Sequence, residues 1–552
     1  MIVFERLRKP SAAILYEIQS GDDMKKNPSI LWVTALVLGW LFDFLFWKQS
    51  FGINFAIYSI LCLAGGIFIL WTVKQYPARG TLWLIPPFLF FITVTFTRTE
   101  PMTVFLGMLF TVFLMGIFVI SFLGGRWYKY SLADYFVGFI NLVGSMLAQP
   151  LIFRSEISRE EKESGLPTSK LNLWPIVRGL VIAIPILVIF ASLLASADTI
   201  FSYRLNAIIK LFFNLDNLPE YIFRFIYIIF IGYILAGSFL HAGMKSRNEK
   251  LLGEDKPLIS RFLGFTETTI VLTSVIMLFT AFVIIQFRYF FGGHANLVAT
   301  GLTDSEYARR GFGELSAVAI LSLLMILGMS TITRREGKVQ GRIYSGLSVA
   351  IVALVLVILV SAYQRLLLNE LAHGFFRLRT YSHVFYIWIA ILFVAVVVLE
   401  ILHRERAFAL AAVLASLGFA ISLSMLNVDS FTVKQSVLRA THGYYLNVPD
   451  IVSLSTDSVP ALVDEFLTPS LPTSTHEAIG VILVCRLNSD GRVNEQTTDW
   501  RSFNYSKWAA EEALRKVRPY LADYKININS WPNRVYAPGV PEYYECQNNY
   551  SD

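Results

Sequence analysis

Residues 101–123 read PMTVFLGMLFTVFLMGIFVISFL, an apolar run that contains no charged side chain. A helix needs about 20 mostly apolar residues to cross a bilayer, and this run is long enough. Other runs along the chain meet or approach that length. They predict an all-α polytopic membrane bundle of about 11–12 transmembrane helices. The predicted spans are 30–47, 52–73, 81–97, 101–123, 175–197, 221–241, 265–287, 313–333, 343–363, 383–402 and 407–426.

The composition agrees with a bilayer as the main partner. The chain is 55% hydrophobic and 16% charged, whereas soluble domains average about 45–50% and about 25%. The net charge of +7 does not indicate nucleic acid, because the basic residues sit in short turns and no nucleic-acid-binding motif is present. Residues 1–29 are charged and lack the apolar core of a cleavable signal. We interpret them as a cytoplasmic amphipathic N-terminus, followed by a first span that acts as the insertion signal.

Basic turns set the expected orientation, because short cytoplasmic loops accumulate Lys and Arg. Such turns follow the second, fourth, sixth, eighth and tenth predicted spans. They support a cytoplasmic N-terminus and an extracytoplasmic C-terminal domain. The residues concerned are Lys74, Arg79, Arg126, Lys129, Lys245 to Arg261, Arg334 to Arg342, Arg404 and Arg406.

Segment 132–153 is apolar but contains Asp134, Asn141, Gln149 and Pro150. The loop 154–174 that follows is also basic, so an even number of crossings must separate it from Arg126. We therefore predict that 132–153 is re-entrant or lies along the interface, which leaves eleven spans. The alternative is a full crossing and twelve spans, with a short span such as 81–97 misread.

The composition changes at residue 427, where polar residues and proline become common. A helix signature lies between Asp499 and Tyr520, with Asn504 or Ser506 as its cap, and the apolar fragment 475–487 is too short to span and predicts a buried element. The predicted organisation has a small α-rich extracytoplasmic domain at its end. Its parts are 1–29, the N-terminal membrane helices 30–174, the core membrane domain 175–426 and the C-terminal domain 427–552.

Two polar turns are predicted at the outer face. In the first, Glu306, Arg310 and Glu314 recur every four residues on one face of a helix, with Arg309 pointing elsewhere. In the second, polar side chains again recur every four residues and would form a stripe, with further charged residues beside it. We expect at least one member of the first set to pair with Arg365, Arg377 or Arg379. The second set comprises Arg365, Asn369, Glu370, His373, Arg377 and Arg379.

A structural role for these ion pairs is favoured over a ligand site, because charges beside the headgroups commonly fix helix ends. His294, His373 and His383 lack the spacing of metal ligands, so no metal or cofactor is expected. No catalytic motif such as Gly-x-Ser-x-Gly, His-Glu-x-x-His or a Walker loop is present. Asp43, inside the first span, is expected near its outer edge in contact with water.

The three cysteines are Cys62, Cys485 and Cys546. Cys62 falls in the middle of a span, where a thiol behaves as a small apolar group. The other two fall in the C-terminal domain, and an exported domain folds where thiols become oxidised. A Cys485–Cys546 disulfide is therefore the favoured interpretation, and two unrelated cysteines are the alternative.

Six short motifs stand out in the second half of the chain. They are Leu194-Ala-Ser-Ala-Asp-Thr-Ile-Phe201, Tyr289-Phe-Phe-Gly-Gly293, Glu306-Tyr-Ala-Arg-Arg-Gly-Phe-Gly-Glu-Leu315, Arg377-Leu-Arg-Thr-Tyr381, Asn427-Val-Asp429 and Leu454-Ser-Thr-Asp-Ser-Val-Pro-Ala-Leu462. They resemble the motifs of a bacterial multi-pass membrane family that is catalogued only as a domain of unknown function, and the most specific piece runs from Glu306 to Phe312. The resemblance covers about 180–470 and implies a multi-pass protein of the bacterial cytoplasmic (inner) membrane without an assigned reaction.

Three functions remain open from the sequence. The first is a membrane scaffold or sensor whose exported domain, residues 427–552, contacts an envelope protein. The second is a secondary transporter, which the number of spans favours but which lacks charged residues near span centres and a visible inverted repeat. A membrane enzyme ranks third, because its site would have to be assembled from outer-face residues without a motif.

Overall fold

A computed structural model describes most of the chain, and long helices dominate it. The helices are α1 (Pro28–Phe46), α2 (Ile53–Thr72), α3 (Arg79–Leu82), α4 (Ile85–Thr97), α5 (Pro101–Ile120), α6 (Leu132–Glu163), α7 (Leu218–Met244), α8 (Phe265–Phe291), α9 (Phe312–Ile332), α10 (Lys338–His373), α11 (Arg377–Ile401), α12 (Phe408–Leu426), α13 (Val428–Thr441), α14 (Val448–Val452), α15 (Val459–Phe466), α16 (Thr473–Val493) and α17 (Tyr505–Val517). The strands are β1 (Lys525–Asn527), β2 (Asn533–Tyr536) and β3 (Tyr543–Cys546). The described residues are 24–25, 27–163, 190–191, 194–195, 198, 201, 203, 218–247, 251–252, 261–291, 312–335, 337–493, 499–528, 532–538 and 543–546.

Among the described residues, 11 helices are long and apolar enough to cross a membrane. They are α1, α2, the pair α3 and α4 taken together, and every helix from α5 to α12. All but α6 coincide with predicted spans, which confirms the all-α polytopic bundle. The predicted span 175–197 lies almost wholly outside the described residues, as do Glu306, Arg309 and Arg310.

The described residues form two compact units. The first unit draws on residues 1–47, 61–76 and 140–247, and the second on 48–60, 77–139 and 248–552. In the first unit α1 packs along α7, and glycines permit the close approach. A Cβ added to Gly39 would collide with the carbonyl oxygen of Ile228, and one added to Gly232 would lie 3.0 Å from that of Ala35.

Helix α6 is continuous through Pro150, so the re-entrant form of the prediction for 132–153 is wrong. A re-entrant segment must reverse direction, and this helix of 32 residues does not. Its first turn is capped, since the Ser131 backbone N–H donates to Asp134 at 2.8 Å. By length and composition alone, Leu132–Glu160 qualifies as a candidate span.

Contacts within the first unit bear on the direction of α6. Ser145 lies 2.9 Å from His241, close to the end of α7. Fifteen residues later, Glu160 accepts a hydrogen bond of 2.6 Å from Lys25, just before α1 begins. The His241 contact and the Lys25 contact lie at the same end of the first unit. A Cβ added to Gly243, two residues after His241, would lie 2.6 Å from the side chain of Met24, which precedes Lys25. A helix advances about 1.5 Å per residue. If α6 crossed the bilayer, residues 145 and 160 would therefore lie about 22 Å apart along the membrane normal.

The Lys25 contacts also set its charge state. Burial by itself lowers the pKa of Lys25, but hydrogen bonds to Glu160 and Glu156 outweigh burial, and the pKa lies above its ordinary value. The ammonium is therefore charged at neutral pH and holds the end of α6 beside the start of α1. These contacts favour a path of α6 along the interface, and an interfacial position of segment 132–153 stays a prediction.

In the second unit α10 lies against α8, α9 and α11. Its apolar face, which includes Ile351 and Val355, is fully buried together with Ala319 of α9 and Phe393 of α11. At the end of these helices that carries the basic turns, Glu400 accepts hydrogen bonds from Arg335 at 3.3 Å and from Ser345 at 2.9 Å. Those bonds neutralise a carboxylate that is otherwise shielded from water.

The residues after Asn427 fold around one apolar core that includes Val433, Leu462, Ile482 and Val535. The predicted buried fragment 475–487 is the central part of α16. Asn504 caps α17, since its side chain accepts from the N–H groups of Ser506 and Lys507. We call residues 427–552 the C-terminal region.

A three-stranded antiparallel sheet, in the order β1-β2-β3, was not predicted for the C-terminal region. Its strands are 3 or 4 residues long, too short to show the alternation of apolar and polar residues that marks a strand. Val535 lies opposite both Ile526 and Tyr544. The region is therefore mainly helical with a small sheet.

A disulfide joins Cys485 of α16 to Cys546 of β3, with Cα atoms 5.7 Å apart. That separation lies within the usual range for the bond. Cys62 is buried and takes no part in a disulfide. This geometry supports the disulfide that the sequence favours.

Candidate functional site

Three buried acidic residues of the second unit lie where the C-terminal region meets the ends of the membrane helices. Glu100, Asp429 and Asp457 are 1%, 0% and 4% exposed. An isolated buried carboxylate costs several kcal/mol or more, so each must be matched by donors. We call these three residues the junction carboxylates.

Glu100 begins α5. Its carboxylate accepts from the N–H groups of Met102 at 2.9 Å and Thr103 at 2.7 Å, both in the first turn. An acidic residue in this position satisfies open backbone donors and interacts favourably with the helix dipole. The hydroxyl of Tyr381 on α11 also donates to it. Glu100 therefore links the start of α5 to α11.

Asp457 lies in the C-terminal region, and its carboxylate binds the turn between α4 and α5. Its carboxylate accepts from the N–H of Thr99 at 3.1 Å and from the N–H of Glu100 at 3.1 Å. The Thr99 hydroxyl also donates to it, at 3.1 Å. A buried carboxylate with several donors is strongly held in place. The turn between two predicted spans is thus bound directly by the C-terminal region.

Asp429 stands in the first turn of α13 and pairs with Arg377, the first residue of α11. The two hydrogen bonds from Nε and Nη2 of Arg377 are both 2.7 Å long. This parallel arrangement is the geometrically specific form of the Arg–carboxylate pair. The backbone N–H of Ser455 donates to the same carboxylate at 2.6 Å. Asp429 therefore connects α11 to two segments of the C-terminal region.

A fourth acidic residue lies at the end of α10. Glu370 is within 3.1 Å of Nε2 of His383 on α11. The chain reverses between these residues at Gly374, whose φ of 84° is readily adopted only by glycine. His383 also meets the ring of Tyr363 edge-on at 5.3 Å between centroids. The pair fastens the end of α10 to the first half of α11.

The structure separates the residues of the predicted polar stripe. Arg365, Asn369 and His373 do follow one another on α10, but Gly374 ends that helix and Arg377 starts the next. Arg379 donates to the carbonyl of Gly374 and lies over the ring of Phe376. Glu314 is exposed at the start of α9. Pairing of Glu306, Arg310 or Glu314 with an arginine remains a prediction, since the first two and Arg309 lie outside the described residues.

Sequence reasoning missed the junction carboxylates, although signals for them were present. Glu100 precedes a proline at the start of an apolar run, which is a helix-start signal. Asp429 and Asp457 lie inside motifs that carry the family resemblance, and so do Arg377 and Tyr381. A search of one sequence for charged residues at helical spacing cannot find ion pairs or hydrogen bonds between residues that are more than 50 positions apart.

The junction carboxylates are suited to holding parts of the chain together. Their donors are backbone N–H groups, the hydroxyls of Thr99 and Tyr381, and the guanidinium of Arg377. Among the residues that the structure describes, no group of three His, Cys, Asp or Glu side chains could hold a metal ion. Chemically, the arrangement is a set of charge-assisted hydrogen bonds that joins helix ends to the C-terminal region.

The first unit has a separate buried ion pair. Asp43 of α1 accepts from Arg224 of α7 at 2.8 Å and 2.5 Å, and from the hydroxyl of Tyr227. Asp43 was expected to contact water, and that expectation is wrong because α7 covers it. Arg224 also lies 5.1 Å from the ring of Trp47. The contact joins α1 and α7 in the half opposite Lys25.

Comparison with known proteins identifies one family. The family model described as "Domain of unknown function (DUF4153)" matches residues 86–465. The match starts well before residue 180, at which the resemblance seen in the sequence begins. The match therefore also includes α4 and α5. No curated protein and no solved structure matches the chain. The matched range holds all three junction carboxylates and more than half of the chain, and the protein belongs to the DUF4153 family.

Proposed function

We propose that this protein is a scaffold of the bacterial cytoplasmic membrane, with a cytoplasmic N-terminus and an exported C-terminal domain that contacts an envelope protein. The observation that carries the proposal is the set of junction carboxylates. They fix the C-terminal region to the starts of α5 and α11, so a force or a contact on this region is transmitted to the membrane helices. A scaffold or a sensor requires such a rigid connection.

The orientation is part of the proposal. Within the second unit, the C-terminal region binds the turns at Thr99 and Gly374, whereas basic residues such as Arg126 and Arg406 lie in turns at the other helix ends. Arg406, for example, donates to the carbonyl of Leu252 in the loop after α7. The distribution of Lys and Arg favours a cytoplasmic location for those turns. The disulfide also favours export, because disulfides persist in oxidising compartments.

Site-specific photo-crosslinking in intact cells tests the scaffold function. A photoreactive amino acid would replace the exposed residues Leu467, Tyr520 or Tyr543 of the C-terminal region. The control position is Trp83, which is exposed in the turn between α3 and α4. We expect a discrete adduct with another envelope protein from at least one of the three positions and not from Trp83. A correctly inserted protein that gives no adduct at any of them would contradict the scaffold proposal.

A variant distinguishes a sensor from a passive anchor. Asp457→Asn weakens the acceptor for the Thr99 and Glu100 N–H groups, so the C-terminal region should become looser on the helices. In a sensor, partner contact at the C-terminal region and changes at the cytoplasmic turns are coupled through this junction. For a sensor, we expect Asp457→Asn to retain the photo-crosslinked adduct with the partner. We also expect this variant to abolish any partner-dependent change in the labelling of cysteines placed at the cytoplasmic turns. Asp523→Asn, at an exposed position of the same region, is the matched control.

A secondary transporter is the second candidate, and one specific observation favours it. Polar contacts join neighbouring spans of the second unit: Ser361 donates to Gln286, Ser316 meets Tyr386 at 3.0 Å, and Glu370 meets His383. Ionisable residues in membrane helices often mark ion pathways. A proton-coupled transporter would dissipate an imposed pH gradient in proteoliposomes that contain a pH-sensitive dye. Loss of this activity in Glu370→Gln would support transport, and no activity in the native protein would argue against proton coupling.

A further inference from the structure

Aromatic side chains gather on the surface of the C-terminal region where the chain runs past the ends of the membrane helices. Trp500, Tyr505 and Trp508 are 57%, 50% and 48% exposed. Phe503 lies between them in sequence, and Phe51, in the turn before α2, is also exposed. We call these five residues the aromatic rim.

The backbone of the aromatic rim is fixed to the helix ends. The Ile53 N–H, at the start of α2, donates to the carbonyl of Phe503 at 2.9 Å. Gly52 packs so closely that an added Cβ would lie 2.6 Å from the same oxygen. Asn504 donates to the carbonyl of Arg98, just after α4, at 3.0 Å. Residues 503 and 504 therefore lie beside the start of α2 and the end of α4.

The burial pattern of α17 shows which side chains are left outside the core. Its inner face consists of Ser506, Ala510, Leu514 and Val517, all buried. Tyr505 and Trp508 are not on that face, and their ring centroids are 5.5 Å apart. An exposed aromatic cluster on a water-soluble surface would be unfavourable. Tyr and Trp, which combine an apolar ring with a polar group, are enriched at the headgroup level of membranes.

We propose that the aromatic rim inserts into the headgroup layer of the leaflet on the side of the C-terminal region, so that this region rests on the lipid surface. The occupant is lipid because residues 49–53 and 98–100 lie at turns between predicted spans and hold the rim beside the ends of those spans. The rim therefore adjoins the ends of α2 and α4. This proposal does not depend on the scaffold function; only the name of the leaflet depends on the proposed orientation.

The test uses the full chain in phosphatidylcholine nanodiscs. A spin label is attached at Trp508→Cys or Trp500→Cys in a Cys62→Ala background, in which the other two cysteines are disulfide-bonded. The control is Tyr543→Cys, an exposed aromatic position on β3. Collision of the label with oxygen, which concentrates in lipid, is compared with collision with a water-soluble nickel complex. We expect the ratio of oxygen to nickel collisions to be several-fold higher at 500 and 508 than at 543.

Two results would overturn the proposal. Equal nickel access at 508 and 543 would show that the rim faces water. Protection of 508 from both probes would show that protein, either a partner or a second copy, covers it. Because a label can disturb folding, conservative Trp508→Phe is measured as well. With lipids brominated near the headgroup, the fluorescence that Trp508→Phe removes should be mostly quenchable, and a loss confined to unquenched fluorescence would contradict lipid contact.

Discussion

Both carboxylate oxygens of Asp429 lie 2.7 Å from a guanidinium nitrogen of Arg377. Asp429 is fully buried, so loss of its partner leaves a charge in a site of low polarity. Breaking such a pair typically costs about 3–5 kcal/mol. We expect Arg377→Gln to lower the free energy of unfolding by about that amount, as measured by unfolding in mixtures of SDS and a mild detergent.

The control for this prediction is Asp464→Asn, because Asp464 is exposed in α15 and exposed substitutions change stability by about 0.5 kcal/mol or less. The double variant Arg377→Gln, Asp429→Asn should be more stable than the sum of the single effects implies, since it removes both charges. Additive losses would mean that the two side chains do not stabilise the junction as a pair.

The disulfide makes a prediction about thiol counts. The chain has 3 cysteines, of which Cys485 and Cys546 are joined by a disulfide and Cys62 is not disulfide-bonded. We expect one reactive thiol in the denatured, non-reduced protein and three after reduction. The bond closes a loop with a sequence separation of 61, and closure of a loop of that size stabilises by about 4 kcal/mol in the chain-entropy model.

Cys485→Ala should therefore lower the unfolding midpoint of the C-terminal region, and reduction of the native protein should have the same effect. Reduction of Cys485→Ala should have no additional effect, which makes this variant its own control. Three reactive thiols before reduction in protein isolated from its native membrane would contradict both the bond and an exported location.

The orientation and the path of α6 can be tested by cysteine labelling in intact cells. Ser158→Cys near the end of α6 and Tyr128→Cys before it should react only after the cells are permeabilised to the reagent. Tyr445→Cys in the C-terminal region should react in intact cells. All three positions are exposed. Labelling of Ser158→Cys in intact cells would mean that α6 crosses the bilayer, and the twelve-span alternative would then apply.

Tyr524 gives a prediction about pH. Burial first, and then the charges of Glu477 and Tyr544, raise its pKa from 10.0 to about 12. The folded state therefore binds this proton more tightly than the unfolded state does. Its contribution to stability is complete below pH 10 and is lost as the pH rises from about 10 to about 12. Tyr524→Phe should flatten the fall in stability over this range.

The matched control is Tyr520→Phe, since Tyr520 lies exposed four residues earlier in the same region. This variant should show the native decline with pH. Stability that declines identically in the native protein and in Tyr524→Phe would exclude Tyr524 as the titrating group.

Much of the fold could be predicted because membrane spans are long and uniform in composition. A run such as 101–123 needs no partner to be recognised, and Asn504 could be identified as a cap from its neighbours. The strands could not, because Lys525–Asn527 is too short to show a period. The junction carboxylates could not be predicted from the sequence for a different reason. Asp457 and Thr99 are 358 residues apart, and no local pattern reports such a contact.

Asp43 and Pro150 show the same limit. Whether an acidic residue in a span is hydrated depends on whether another helix covers it, and Arg224 is 181 residues away from Asp43. Pro150 and the polar residues around it predict a re-entrant or interfacial segment at 132–153, whereas the structure has a continuous helix there. Proline lacks one hydrogen bond, but neighbouring helices can support a continuous helix around it. Both errors came from treating a segment without its neighbours.

The contact between Asp457 and the turn at Thr99 also has a consequence for the order of assembly during synthesis. A ribosome adds about 5–20 residues per second, so the turn is made roughly 20–70 s before its partner. In that interval the N–H groups of Thr99 and Glu100 have no carboxylate from Asp457 and must be hydrated. The hairpin of α4 and α5 is therefore inserted before this turn has its partner, and the C-terminal region docks last, as a lid on helices already in place.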